Sequence, residues 1–376
     1  MNISFLTSSH QHFDDRIYHH LADSLSKKGH SIEIVSSLSK LRVESKISIN
    51  SFEGSSITKR EKIKLFAKKL HSFKPHIIIC SEPITILAAK KYTKKTNAQI
   101  IYDITEWYPS KKHLRNHSKK TRGFHFLKYL LFNIYASFNC HGFIFGEYYK
   151  SKPYKFLFPN TAFTFVPYYP KLSIIQAVKP ILKPNTLRFS YSGKISVEKG
   201  FTNFLAVLNL LSKQHPKLLI IVKIIGWYNP KEKFMLQKAV KELQNKIKFT
   251  IYEPQELQTY IKLINDSDIF IDFRSTDFEN SHCLPIKLFY YLALERPVLF
   301  SNLKAIKKEV AIEQFGYLVN PTDTQKIVDL INAYIKVPNL YSTHCKNAKT
   351  LFKTMYNWEK IEAQFINFIE NFEKNK

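Results

Sequence analysis

The chain has 376 residues, 44% of them hydrophobic, which is enough for two buried cores and too apolar for a disordered segment. Its formal charge of +27 favours polyanions as partners: nucleic acid, phosphorylated substrates or an anionic lipid surface, unless the lysines merely fill solvated faces. No apolar run approaches the roughly 20 residues of a membrane helix, and the opening MNISFLTSSH turns polar too early for a signal peptide.

Cys80, Cys140, Cys283 and Cys345 lie far apart, without metal-ligand or redox spacing, and read as free thiols in a reducing cytoplasm. In chain order, residues 2–6 read as a strand and 14–28 as a helix with Ile17, Leu21 and Leu25 on one face, stopped by Gly29. A strand at 31–36 follows, then a lysine-rich helix at 58–73, a buried strand at 76–80 and a helix at 84–93. A strand at 98–103 leads to a basic helical stretch and to a strand at 141–145.

Residues 1–165 therefore read as one domain, and the proline-bearing segment 166–186 as an interdomain connection. The second domain, 187–350, alternates in the same way. Its strands are expected at 187–192, 218–225, 247–251, 269–273, 298–300 and 316–319, and its helices at 201–213, 232–245, 256–264, 288–294 and 324–335. Residues 351–376 close the chain with an amphipathic helix from Trp358 to Phe372. The alternation predicts an α/β protein of two Rossmann-like, doubly wound domains.

Four constellations stand out. The segment SHCLPIKLFYYLALERPVLFSN (281–302) is a loop–helix–strand unit, placed where parallel sheets bind ligands. It resembles the donor-site signature of family 4 glycosyltransferases, a Pro-x-Lys-x-x-Glu-Tyr-x-Ala helix followed by a Pro-Val strand. Pro285, Lys287, Tyr291, Ala293, Pro297 and Val298 are kept, and Tyr290 stands at the glutamate position. The family's two glutamates, with seven residues between them, fall here on His282 and Tyr290; Glu279 is nearby. His282 also reads as a loop or helix-cap histidine.

The second constellation, YSGKISVEKG (191–200), reads on its own as a strand–helix turn and resembles the family's Gly-Arg-x-x-x-x-Lys-Gly phosphate grip. Lys194 takes the arginine position and Lys199 the lysine position, keeping charge while losing the arginine fork at 194. The third, TSSHQHFDDR (7–16), resembles the family's Asp-Arg-Ile opening of the first helix; Asp14 equally reads as a helix cap. The fourth, YDITEWYP (102–109), is similar to a Tyr-Asp-x-His-Glu element, with Thr105 at the histidine position and Glu106 retained.

The resemblance spans nearly the whole chain. It implies the GT-B architecture, two Rossmann-like domains facing a cleft, with the C-terminal helix crossing back to the N-terminal domain. It implies a nucleotide-sugar donor held by Gly193, Lys194, Lys199, Gly226, Pro285, Ile286, Lys287 and Tyr290. His10, Asp15, Arg16, Thr105 and Glu106 would face the acceptor, and Glu106, Lys199 and His282 would be catalytic. Retention of configuration is implied, with no metal and no cofactor.

Asp266-Ser267-Asp268 spells a metal-binding Asp-x-Asp, yet it reads as a helix stop before a strand. The stretch 111–131, from Lys111 to Leu131, holds seven lysines and arginines, no acids and an aromatic end, a composition suited to an anionic membrane surface or to a solvated loop before a core helix. The expected acceptor is a lipid-linked saccharide at the inner face of the plasma membrane, in capsule, O-antigen or exopolysaccharide assembly. The enzyme would be cytoplasmic and peripherally bound. Nucleic acid is not expected as a partner, although a basic nucleic-acid-binding protein and a catalytically silent assembly partner remain alternatives.

Overall fold

The computed structural model describes residues 1–374, so residues 375 and 376 of the expected terminal helix lie outside it. Two compact units are present. One comprises Met1–Tyr168 with the last helix from Ile361 onward, and the other comprises Tyr169–Lys360. Each is an α/β unit built on a parallel sheet.

The first unit carries β1 (Asn2–Thr7), β2 (Ser31–Ser36), β3 (Arg42–Val43), β4 (Ile47–Asn50), β5 (Ile77–Cys80), β6 (Gln99–Ile104), β7 (Gly142–Phe145) and β8 (Ala162–Phe165). Their order is β3-β4-β2-β1-β5-β6-β7-β8, and β3 is the antiparallel edge. Strand β5, Ile-Ile-Ile-Cys, is buried at every position because helices cover both faces of such a sheet. Thr58 starts the helix Lys59–Phe73 with a reciprocal cap: its hydroxyl accepts from the Glu61 amide at 3.3 Å, and Glu61 accepts from the Thr58 amide at 2.8 Å.

The second unit carries β9 (Thr186–Lys194), β10 (Leu219–Trp227), β11 (Ile247–Tyr252), β12 (Ile269–Asp272), β13 (Val298–Ser301) and β14 (Gly316–Val319). Their order, β11-β10-β9-β12-β13-β14, runs outward in both directions from β9 and β12. Side chains alternate between two cores. Ile269 and Ile271 join one cluster, while Phe270 joins the other with Val298 and Phe300.

Several elements differ from the sequence expectation. Strands β3 and β4, the helix Tyr148–Leu157 and strand β8 were not anticipated; the helix carries Pro153 in its interior. The helix expected at 14–28 is π-helical over Asp15–Ala22 and α-helical over Asp23–Lys27. The basic stretch forms two helices, Lys111–Leu114 and Arg122–Ser137. A helix not expected from the sequence, Pro338–Thr354, takes in residues assigned to the terminal segment, and the final helix is Trp358–Lys374.

Gly193 and Lys194 lie within β9, not in the loop after it. The ladder extends this far because Gly193 pairs with Gly226, and a Cβ on Gly226 would stand 1.8 Å from the Gly193 carbonyl oxygen. Gly200, at φ +80°, sits where a Cβ would fall 2.0 Å from the Phe273 carbonyl oxygen at the end of β12. Gly200→Ala should cost about 1–3 kcal/mol from the backbone conformation alone, with the clash adding more. Thermal denaturation should show a lower melting temperature, and an unchanged one would contradict this packing.

Candidate functional site

In the second unit the chain reverses direction of sheet growth between β9 and β12, which opens a crevice at their carboxyl ends. Asp272 closes β12 there, 4% exposed. Arg274 reaches back to it with a fork, Nε to Oδ1 at 2.8 Å and an Nη to Oδ2 at 2.5 Å. Lys287 lies 3.2 Å from the same carboxylate and donates to the Ser192 carbonyl at 2.6 Å.

Lys287 belongs to the first turn of the helix Ile286–Ala293, whose N-cap is the buried Pro285; Ile286 is exposed. A Cβ on Gly193 would meet the ammonium only at ordinary contact, 3.6 Å; the position calls for glycine because its backbone lies at φ +98°. Lys199, half-buried, donates to Asn280 Oδ1 at 2.9 Å. Burial lowers its pKa, and the nearby Arg274 and Lys287 charges lower it further against the pull of Glu198 and Asp272. Burial alone would raise the Asp272 pKa, but the charges of Arg274 and Lys287 and their hydrogen bonds hold it well below the usual carboxylate range. Three cations thus gather near one carboxylate, an arrangement suited to a multivalent anion.

Other expected donor residues point elsewhere. Lys194 is 3.7 Å from Glu232 and lies over the Trp227 ring at 5.5 Å. Gly226 serves the β9–β10 pairing. Tyr290 is 5% exposed, inside the cluster that includes Ile225 and Leu288. His282 caps the short helix Phe278–Ser281, its Nδ1 donating to the Phe278 carbonyl at 2.8 Å. Asp266 pairs with Lys223 at 2.7 Å and Asp268 with Arg188 at 2.7 Å, so both carboxylates of the Asp-x-Asp sequence serve ion pairs at the opposite end of β12.

In the first unit the corresponding reversal lies between β1 and β5. A cavity of about 320 Å³ opens at their carboxyl ends, walled by Ser8, Ser9, Glu82, Thr105 and Glu106, with Lys59, Lys62, Tyr108, His113 and Tyr129 around it. Glu82 shapes its floor: its carboxylate accepts from Thr7 Oγ1 at 3.0 Å, from the Ser8 amide at 2.7 Å, from the Ser9 amide at 3.1 Å and from the Ser9 hydroxyl. The Thr105 carbonyl accepts from Lys150, which also pairs with Glu147 at 2.5 Å. Glu106 is exposed on the wall.

Asp14 caps the first helix, accepting from the Arg16 and Ile17 amides, and holds His10 at 3.0 Å. Asp15 faces its own helix beside His20 at 3.6 Å. Arg16 is not on an acceptor-facing surface. It is 4% exposed, forks onto Asp103 at 2.8 and 2.7 Å, donates to the Val166 carbonyl at 2.7 Å and stacks on Tyr168. The Asp-Arg and Tyr-Asp motifs therefore meet through a buried ion pair.

Residues 175–351 match the family model described as Glycosyl transferases group 1. The matched residues lie within the second unit. No curated protein matches the chain. Among solved structures, it is similar to a sucrose-phosphate synthase from Thermosynechococcus elongatus, at 14% identity and a TM-score of 0.76 over 100% of both chains. A glycosyltransferase from Rickettsia africae aligns at 14% identity and TM-score 0.72, over 100% of this chain and 99% of the other. The HepE protein of Anabaena, solved with UDP, aligns at 12% identity and TM-score 0.70, over 99% and 100%. These likenesses show the fold, that of GT-B glycosyltransferases.

Within the second unit, sequence reasoning missed Asp272, Arg274 and Asn280. The only local signal was an Asp-x-Arg closing a buried strand. In the first unit it missed Glu82, Lys59 and Lys62, which are brought together by the fold and not by sequence spacing.

Burial alone would lower the His10 pKa, but the hydrogen bond and charge of Asp14, with Glu82 and Glu106 adding, raise it. Burial alone would raise the Asp14 pKa, but the hydrogen bond and charge of His10, with the Ile17 and Arg16 amides, lower it. The raised histidine contributes stability that is complete below its unfolded pKa of about 6.5 and lost as pH rises through the folded value. The depressed aspartate contributes above its unfolded pKa, and that part is lost as pH falls through the folded value. An NMR titration of His10 should give a midpoint above about 6.5, and Asp14→Asn should lower it. A midpoint indifferent to Asp14 would contradict the pairing.

Proposed function

We propose that the chain transfers a sugar from a nucleoside diphosphate sugar to a hydroxyl of a lipid-linked saccharide, in the assembly of a cell-surface polysaccharide such as capsule, O-antigen or exopolysaccharide. The observation that carries this reading is the cluster of Lys199, Arg274 and Lys287 at the carboxyl-end crevice of the second unit. Transfer builds negative charge on the departing diphosphate, and preorganised cations stabilise charge that develops there. Lys199, Arg274 and Lys287 would perform this task without a metal. Lys194 would contribute from the flank and Pro285 would shape the pocket.

The acceptor hydroxyl would sit in the cavity of the first unit, oriented by Glu106, with His10 close enough to sense the Glu106 charge. Attack from the face the leaving group vacates gives retention. The UDP bound by HepE supports a nucleotide at this fold's donor site. Among the described residues no helix is long and apolar enough to cross a membrane. Contact with the inner membrane surface would come from the helix Arg122–Ser137, where Phe124 is 69% exposed among lysines and arginines.

A catalytically silent assembly partner is the second reading. It is favoured by His282, which caps its own helix, and by the buried Tyr290, the two positions where the family carries glutamates.

Thermal shift against UDP, GDP and their sugar conjugates should give a rise with one nucleotide. Lys199→Ala should lower turnover about a hundredfold or more while leaving the melting temperature of the ligand-free protein near wild type. Unchanged turnover overturns the phosphate assignment, and nucleotide binding without any transfer or hydrolysis favours the silent partner.

A further inference from the structure

Lys194 stands between a carboxylate and an aromatic ring. Its ammonium lies 3.7 Å from Glu232 and 5.5 Å from the centre of the Trp227 ring. Glu232 is itself fixed by the start of the helix Pro230–Leu243, where its amide donates to Asn229 Oδ1 at 2.9 Å and its carboxylate accepts from the Asn229 amide at 3.0 Å. Trp227 is fixed through its backbone, which pairs with Lys194 across β9 and β10 and accepts from the Ile195 amide at 2.9 Å. The charged pair is covered, with the lysine side chain 18% and the glutamate 15% exposed, whereas the indole beside it is 53% exposed. A ring steadied by a cation and still open to solvent is a surface on which a second ring can stack.

The sheet sets what this surface can reach. Lys287 donates to the Ser192 carbonyl, two residues before Lys194 on β9, so the cationic cluster borders this strand. Neighbouring strands lie about 4.8 Å apart, which places the end of β10 one step beyond the cations. Trp227 closes β10, Tyr228 follows it, and Tyr252 closes β11. On the other side of the cluster, β13 and β14 end in Ser301 and Val319, followed by Asn302 and Asn320, and offer no aromatic ring.

We infer that Trp227 is the surface on which the base of the donor nucleotide stacks, with Lys194 and Glu232 as positioning residues that hold its ring. The inference rests on the proposed sugar-transfer reading and adds how the nucleotide is gripped. In a nucleoside diphosphate sugar, the sugar is joined directly to one phosphate and stays beside the cations, where the bond to the leaving diphosphate breaks. The base is separated from that phosphate by a second phosphate and a ribose, so it is the part able to reach one strand further. One base–aromatic stack contributes about 1–3 kcal/mol and accepts any base. Trp227 therefore supplies affinity for the nucleoside and leaves the identity of the base to other contacts.

The test is isothermal titration of the full chain with inorganic diphosphate, glucose 1-phosphate, UDP, GDP, ADP and dTDP. Trp227→Ala, at an exposed position, should weaken the nucleotide that the wild type binds by about 5- to 150-fold, the equivalent of one stack, and leave inorganic diphosphate unchanged. Trp227→Phe should restore most of the loss. The nucleotide should quench indole fluorescence in the wild type and not in Trp227→Phe. Lys194→Met should weaken the nucleotide several-fold more than inorganic diphosphate, and equal losses would overturn its positioning role. Nucleotide affinity that is the same in Trp227→Ala, or a loss that inorganic diphosphate shares, overturns the stacking. Glucose 1-phosphate that weakens in Trp227→Ala as much as the nucleotide does puts the sugar on the ring and overturns it as well. A nucleotide bound without help from Trp227 defeats only this inference, whereas a wild type that binds none of the four nucleotides defeats the donor reading and this inference with it.

Discussion

Asp272 is the residue on which the second unit's crevice depends. Three cations cannot be gathered at the end of a parallel sheet without a counter-charge, because each would repel the others and lose hydration. A buried carboxylate that accepts a fork from Arg274 and a contact from Lys287 supplies that counter-charge. Removing one partner of such a buried set typically costs about 3–5 kcal/mol, since an uncompensated charge is left inside. The Arg274 backbone is fixed as well, its carbonyl accepting from Ser301 at 2.7 Å. The cluster is therefore preformed, and an arriving anion would not have to organise it.

The first unit solves a related problem with opposite polarity. Arg16, buried and forked onto Asp103, ties the start of the first helix to the end of β6. It lies beside the loops that leave β1 and β6, from which Ser8, Ser9, Thr105 and Glu106 line the cavity together with Glu82. Two motifs that resemble acceptor-binding elements thus supply the scaffold through Arg16 and Asp103, and the wall through Ser8, Ser9, Thr105 and Glu106. The second unit thus presents a cationic cluster and the first a polar cavity, each at its own strand reversal.

Much of this was legible in the sequence. Strands such as Ile77–Cys80 and Val298–Ser301 are short apolar runs between polar turns, and periodicity finds them. Strand β3 has two exposed residues and left no pattern to read, while Pro153 disguised the helix around it. Lys199 and Lys287 were legible as site residues because they fall within recognisable loops. Arg274 was not, because it falls outside the recognisable loops and its partner Asp272, two residues earlier, reads only as the end of a buried strand. Lys194 was misplaced for a local reason: the paired glycines 193 and 226 let the strand run on and turn that lysine toward Glu232.

The helix Ile286–Ala293 separates two properties that are usually treated as one. Lys287 and Tyr291 stand one turn apart on the same face, and both grip Ser192: the ammonium takes its carbonyl oxygen at 2.6 Å, and the phenol reaches its hydroxyl at 3.0 Å. Tyr291 also stacks on Phe270 of β12, with centroids 4.0 Å apart and planes 7° from parallel. The charge of the site is thus encoded at position 287 and its aim at position 291. A lineage that drifted at Tyr291 would keep a full set of cations and lose their focus, so counting charged residues in related chains would misjudge which of them still work.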